Sequence, residues 1–183
     1  MEGLHNDQCL FMNKSFPLEK VIELYNLLER MQISIWLDGG WGVDALLEKQ
    51  TRAHDDLDIV IEEKNLDKFV NHFQSMGYFE IIKDDSCAWN FVLGHNSGYE
   101  IDVHVINFNE IGDGIYGPKE RGILYPAYAF QGIGKLNTVQ LKCLSAEYQL
   151  ESHTGYTLRE RDFHDVIALC EKFNLKKPAP YLL

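Results

Sequence analysis

The chain has 183 residues, with 28 acidic side chains against 17 basic ones and a formal charge of −11. That length fits one compact domain, or one domain with an appendage, able to bury a core without disulfide or metal staples. So acidic a chain repels phosphate backbones, which excludes broad binding of DNA or RNA. No stretch reaches the roughly 20 apolar residues of a membrane span, and the first residues lack the basic start and apolar run of a secretory leader. Cys9, Cys87, Cys143 and Cys170 are scattered and form no C-x-x-C pair. A reducing interior, and hence a cytoplasmic location, is the expectation.

No internal repeat is visible. Behind Pro17, Val21, Leu24, Leu28 and Met31 recur at helical spacing and predict a surface helix. Ser34–Leu37 reads as a strand that runs into Asp38-Gly39-Gly40-Trp41-Gly42, after which Val43, Ala45, Leu46 and Leu47 predict a short helix. Asp56–Ile61 is a second strand. Leu66, Phe69, Val70, Phe73 and Met76 mark a helix ending near Gly77. Strands follow at Tyr78–Ile82, Trp89–Leu93 and Tyr99–Ile106, the last two joined by a loop of hairpin composition, Gly94–Gly98. Between Asn109 and Gly134 lie six of the 14 glycines and two prolines, the pattern of a loop-rich region that shapes a substrate pocket. Leu136–Leu144 reads as a strand or hairpin arm. Ser145 caps a helix over Ala146–Ser152, and Thr157 or a neighbour caps a longer one from about Leu158 to Phe173. The expected fold class is mixed α/β (α+β), with a more helical end.

Asp56-x-Asp58 carries the strongest chemical signal. Strand side chains alternate faces, so both carboxylates project one way while Leu57, Ile59 and Ile61 face the core. Such a pair suits a hard cation such as Mg²⁺, which takes one or two carboxylates and fills its shell with water and substrate phosphates. Glu100, Asp102 and His104 repeat the alternation on a later strand, and if the two strands are neighbours Asp102 faces Asp56 and Asp58 as a third ligand or as a general base. A lone Asp-x-Asp is more often a turn cap. Gly39 and Gly40, between a strand and a helix start, shift that balance, because they let backbone N–H groups approach a triphosphate. Neither a G-x-G-x-x-G fingerprint nor a P-loop is present. Arg52 and His54 precede the acidic strand where a phosphate would lie, although a solvated loop pair fits the spacing equally well.

Together, Leu37–Ala45, Thr51-Arg52-Ala53-His54-Asp55-Asp56-Leu57-Asp58 and Glu100–His104 resemble the polymerase-β-like nucleotidyltransferases. Within that superfamily they are similar to lincosamide nucleotidyltransferases and aminoglycoside 2″-adenylyltransferases. The resemblance runs from about residue 20 to about residue 170, and later segments such as His153-x-Gly155-Tyr156 favour the lincosamide branch.

It implies a nucleotidyltransferase fold, a mixed β-sheet flanked by helices: an N-terminal extension (1–16), a core (17–108), and a substrate-shaping region with C-terminal helices (109–183). It also implies metal-dependent transfer of a nucleoside monophosphate, AMP from ATP, to an antibiotic hydroxyl, with release of pyrophosphate. Asp56, Asp58 and Asp102 are then the catalytic and metal-binding set, with Mg²⁺ the expected ion. Gly39, Gly40, Arg52 and His54 meet the nucleotide, and Glu100, His104 and Tyr156 meet the drug. A homodimer with no nucleic-acid or membrane partner is expected. An aminoglycoside adenylyltransferase, a protein-modifying antitoxin of this fold and an idle nucleotide-binding module are the rival readings; the intact acid triad counts against the last.

Overall fold

The computed structural model describes residues 15–182; of the N-terminal extension it covers only Ser15 and Phe16, and Cys9 lies outside it. Helix α1 (Leu18–Arg30) starts behind Pro17 and buries Val21, Leu24, Tyr25 and Leu28, the stripe set by its apolar spacing. Then come β1 (Ile35–Leu37), α2 (Gly39–Leu47), β2 (Asp56–Glu62), α3 (Leu66–Ser75), β3 (Tyr78–Ile81), β4 (Asn90–His95) and β5 (Glu100–Phe108). The loop-rich stretch contributes β6 (Gly114–Tyr116) and β7 (Leu124–Tyr125). The predicted strand or hairpin arm is the second strand of a hairpin, β8 (Gly132–Leu136) and β9 (Val139–Cys143), turned at Asn137, which has a positive φ of 51°. Helices α4 (Ala146–Ser152) and α5 (Glu160–Phe173) close the chain.

The main run of the sheet is β3-β4-β5-β2-β1-β9-β8, with β6 and β7 added beside β5. β2 and β5 are parallel, and most other neighbours are antiparallel. Strands on both sides of residue 109 therefore share one sheet, since β9 pairs with β1. Leu57, Ile59 and Ile61 of β2 and Ile101, Val103 and Val105 of β5 face the main core, packed with Phe69 and Phe73 of α3 and the buried stripe of α1. Each fully buried side chain of this kind contributes about 1.5–3 kcal/mol.

The opposite face carries the other set of residues. At one end Val60 and Ile106 support a smaller aromatic cluster of Trp36, Tyr125, Tyr116, Phe130 and Tyr148. Trp36 Nε1 donates to the Phe130 carbonyl at 3.1 Å, so this ring anchors the loop-rich stretch to the sheet. At the other end of the same face the side chains are acidic.

Candidate active site

Asp58 and Asp102 are direct partners across the β2–β5 ladder, and Asp56 is paired with Glu100. Strands in a ladder stand about 4.8 Å apart, so backbone register alone sets two carboxylates side by side at one height. Asp56, Asp58 and Asp102 line one cavity of about 490 Å³ together with Asp38, Gly39, Gly40, Arg52, His54 and Tyr156. Burial pushes the Asp58 carboxyl well above the usual carboxylate range, and the charges of Asp56, Asp38 and Asp102 add to the effect. Asp102 is raised as well, by burial first and then by Asp56. The side-chain carboxylates of Asp56, Asp58 and Asp102 accept no hydrogen bond from the described residues, an arrangement that favours a bound cation.

The double glycine is dictated by the side chains packed against it. Asp38 caps α2, accepting a hydrogen bond from the Gly39 amide at 2.7 Å, while its own amide donates to the Asp58 carbonyl at 3.0 Å. Gly39 has a positive φ of 51°, and a Cβ there would collide with the Asp58 carboxylate. A Cβ on Gly40 would collide with the His54 ring. The start of α2 thus lies flush against the acids, with Gly39 and Gly40 lining the cavity.

His54 is buried, with Nε2 2.5 Å from Asp44 Oδ2 and its ring centroid 4.5 Å from that of Trp41. Asp44 also accepts from the Thr51 amide at 3.0 Å and the Thr51 hydroxyl at 2.6 Å. The Thr51-to-His54 segment is therefore pinned to α2, and His54 borders the cavity as part of its frame. Arg52 donates through Nε and Nη2 to Asp165 of α5, at 3.2 and 2.7 Å. Burial alone would raise the Asp165 carboxyl, but the hydrogen bonds from Arg52 and His164 hold it below its ordinary value.

Glu100 and His104 do not line this cavity. Glu100 meets Lys83 at 3.1 Å, and His104 lies further along the same face against Tyr116. Tyr156 is on the rim, its ring 5.7 Å from the Arg159 guanidinium.

The opposite wall comes from the start of α5, where Arg159 and Arg161 also border the cavity. The helix cap falls at Arg159, two residues beyond Thr157, because Asp162 accepts from the Arg159 amide at 2.7 Å as well as from its guanidinium. Asp162 is thus the helix-start charge its position suggests, whereas Asp165 is the buried counter-ion of Arg52. The closest acidic partner of Arg161 is Asp55 Oδ2, at 3.9 Å. Sequence reasoning passed over Asp38, Arg159 and Arg161. The signal for the arginines is a basic pair at a helix N-terminus, where the dipole favours acids.

A metal fits the donor set. Among the described residues no three ligating groups converge into a ready cage. Mg²⁺ does not need one, since one or two carboxylates and the substrate's phosphates complete its shell.

The fold that carries this site is shared with solved antibiotic-modifying enzymes. The crystal structure of the lincosamide antibiotic adenylyltransferase LnuA with lincomycin bound superposes with a TM-score of 0.76 at 30% identity, covering 85% of this chain and 98% of that one. The aminoglycoside enzyme ANT(2″)-Ia, in complex with adenylyl-2″-tobramycin, shares the fold at a TM-score of 0.63 and 15% identity, over 85% of this chain and 88% of its own. The sequence pattern of the aminoglycoside-2″-adenylyltransferase family matches residues 20–169, and the chain belongs to that family. A lincosamide resistance protein of Staphylococcus haemolyticus is 33% identical over 158 residues, 84% of this chain and 94% of that protein. Among the described residues no helix is long and apolar enough to cross a membrane.

Proposed function

We propose that the chain is a lincosamide nucleotidyltransferase, transferring AMP from ATP to a hydroxyl of the drug with release of pyrophosphate. The observation that carries this reading is the two-sided cavity, with three unpaired carboxylates and a glycine-lined helix start on one wall and Arg159 and Arg161 on the other. The likeness to LnuA and to the staphylococcal resistance protein points the acceptor towards lincosamides.

Asp56 and Asp58 hold Mg²⁺, with Asp102 beside them. When bound, the metal neutralises the triphosphate and polarises the α-phosphorus. Gly40 presents its backbone N–H to phosphate oxygens, and Gly39, whose own amide is held by Asp38, lets the nucleotide approach closely. Arg161, only loosely engaged by Asp55, is free to pair with the leaving pyrophosphate. Asp102 takes the proton as the drug oxygen forms its bond to the α-phosphorus and the bond to the pyrophosphate oxygen breaks; its raised carboxyl suits it to that role. Arg52 and His54 keep the nucleotide wall in place through Asp165 and Asp44. Glu100 and Tyr156 border the drug's approach.

The enzyme works in the cytoplasm as a homodimer. Exposed Ile133 and Phe173, on the rim of an open groove of about 740 Å³ with Leu46 and Tyr128, are the surface best suited to the pairing. Sedimentation velocity on wild type and Ile133→Glu tests it, a monomeric wild type rejecting the dimer.

Lincomycin, clindamycin and several aminoglycosides, each with ATP and Mg²⁺, are to be assayed by pyrophosphate release. Turnover of the lincosamides is expected. The family match favours aminoglycosides as the second reading, and turnover of those alone would replace the first.

A further inference from the structure

His104 stands on the acidic face of β5, two residues beyond Asp102, so along the strand the two side chains are about 6.6 Å apart. A chain of hydrogen bonds ends on its ring. Asn90, its register partner on β4, donates through Nδ2 to the Asp85 carboxylate at 3.1 Å and to the Asp85 carbonyl at 3.3 Å. Turning that amide over would set oxygen against oxygen, so the Asn90 Oδ1 must face Tyr116. Tyr116 donates its single proton to that oxygen at 2.9 Å. Burial, above all, raises the pKa of the Tyr116 hydroxyl, so the phenol keeps this proton. Tyr116 can then only accept at its 3.2 Å contact with His104 Nδ1. In the neutral ring the proton therefore sits on Nδ1, and Nε2, which has no hydrogen-bond partner among the described residues, is the nitrogen left with the lone pair.

We infer that Asp85, Asn90 and Tyr116 lock His104 as the Nδ1–H tautomer, so that Nε2 accepts a hydrogen bond from a hydroxyl or ammonium group of the drug and positions it beside Asp102. The inference rests on the proposed transfer for its ligand but not for the tautomer. An ammonium or hydroxyl donor suits a position beside the Asp102 carboxylate. The same lock would work against a ligand that offers only acceptor atoms at this place.

Two measurements test it. Two-bond ¹H–¹⁵N spectra of histidine-labelled protein without ligand, with the His104 signal assigned through His104→Gln, should show the neutral ring protonated on Nδ1. Tyr116→Phe should release it towards the Nε2–H form that free imidazole prefers. A neutral ring carrying its proton on Nε2 in the wild type would overturn the inference, whatever the enzyme turns over. In steady-state kinetics, His104→Ala should raise KM for lincomycin about three- to tenfold, the worth of one hydrogen bond, with KM for ATP unchanged. His104→Gln, whose carbonyl oxygen reaches near the position of Nε2, should recover most of that loss. An unchanged KM for lincomycin in His104→Ala would overturn the positioning role. A wild type that ignores lincosamides would remove the proposed function, while the tautomer measurement would still decide the lock.

Discussion

Asp44, Asp162 and Asp165 are buried and each is met by donors: Asp44 by Thr51 and His54, Asp162 by the Arg159 amide and guanidinium, Asp165 by Arg52 and His164. Asp56, Asp58 and Asp102 stand half-buried in the cavity and are met chiefly by one another's charge. The first group holds α2, α5 and the loop before β2 in place. The second is strained electrostatically until a cation arrives, so charge that lowers stability is concentrated where ligand binding returns it.

The comparison breaks most sharply at Asp58. Asp58→Asn should lower kcat/KM about 10³-fold or more, as loss of a group stabilising transition-state charge does. It should nevertheless raise the melting temperature of metal-free protein by about 2–4 °C, the shift expected for roughly 1 kcal/mol at this size. A carboxyl raised in the folded state binds more protons than the unfolded chain between the two pKa values, so stability falls as pH rises through that window. Calorimetry without metal should show the wild type losing stability from mildly acid to neutral pH, and the variant losing less.

Asp102→Asn should keep nucleotide affinity, read by calorimetric titration, and lose about 10²- to 10⁴-fold in turnover. Near-normal turnover would remove Asp102 from the reaction.

On the paired side, Asp165→Asn should cost about 3 kcal/mol in urea unfolding at pH 7, because it leaves Arg52 without its counter-ion. The sign against pH is opposite here. The Asp165 carboxyl is lowered in the folded state, so its stabilisation is present above the ordinary carboxylate value and lost as pH falls through the lowered one. The gap between wild type and variant should therefore narrow in acid. Arg161→Ala is the gentlest test, with KM for ATP up about tenfold for one charge-assisted contact and a melting temperature close to wild type.

Much of this was legible in the sequence where a period exposes it. Alternation put Asp56 and Asp58 on one face and Asp102 on another strand's polar face, and Gly39-Gly40 marked the close approach. That β2 and β5 are parallel neighbours with Asp58 opposite Asp102 is a matter of sheet order, which alternation within a strand does not carry. The strand limits moved by a residue or two, since pairing with β3 extends β4 to His95 and pairing with β6 extends β5 to Phe108. Long-range pairing was invisible: a helix-start acid and a counter-ion for Arg52 look alike in sequence, and only folding distinguishes Asp162 from Asp165. Arg159 and Arg161 read as ordinary surface charge until α5 is laid across the cavity.

Arg52 and Asp165 lie 113 positions apart, and Arg159 and Arg161, two of the three arginines lining the cavity, come with the start of the same late helix. At about 5–20 residues per second, a ribosome makes the acidic strand on the order of 5–20 s before that helix. Through that interval the nascent chain carries its acids without the arginines of the facing wall. The nucleotide pocket is consequently among the last parts of the molecule to be completed, and a product truncated before α5 would keep the carboxylates yet lack the wall that faces them.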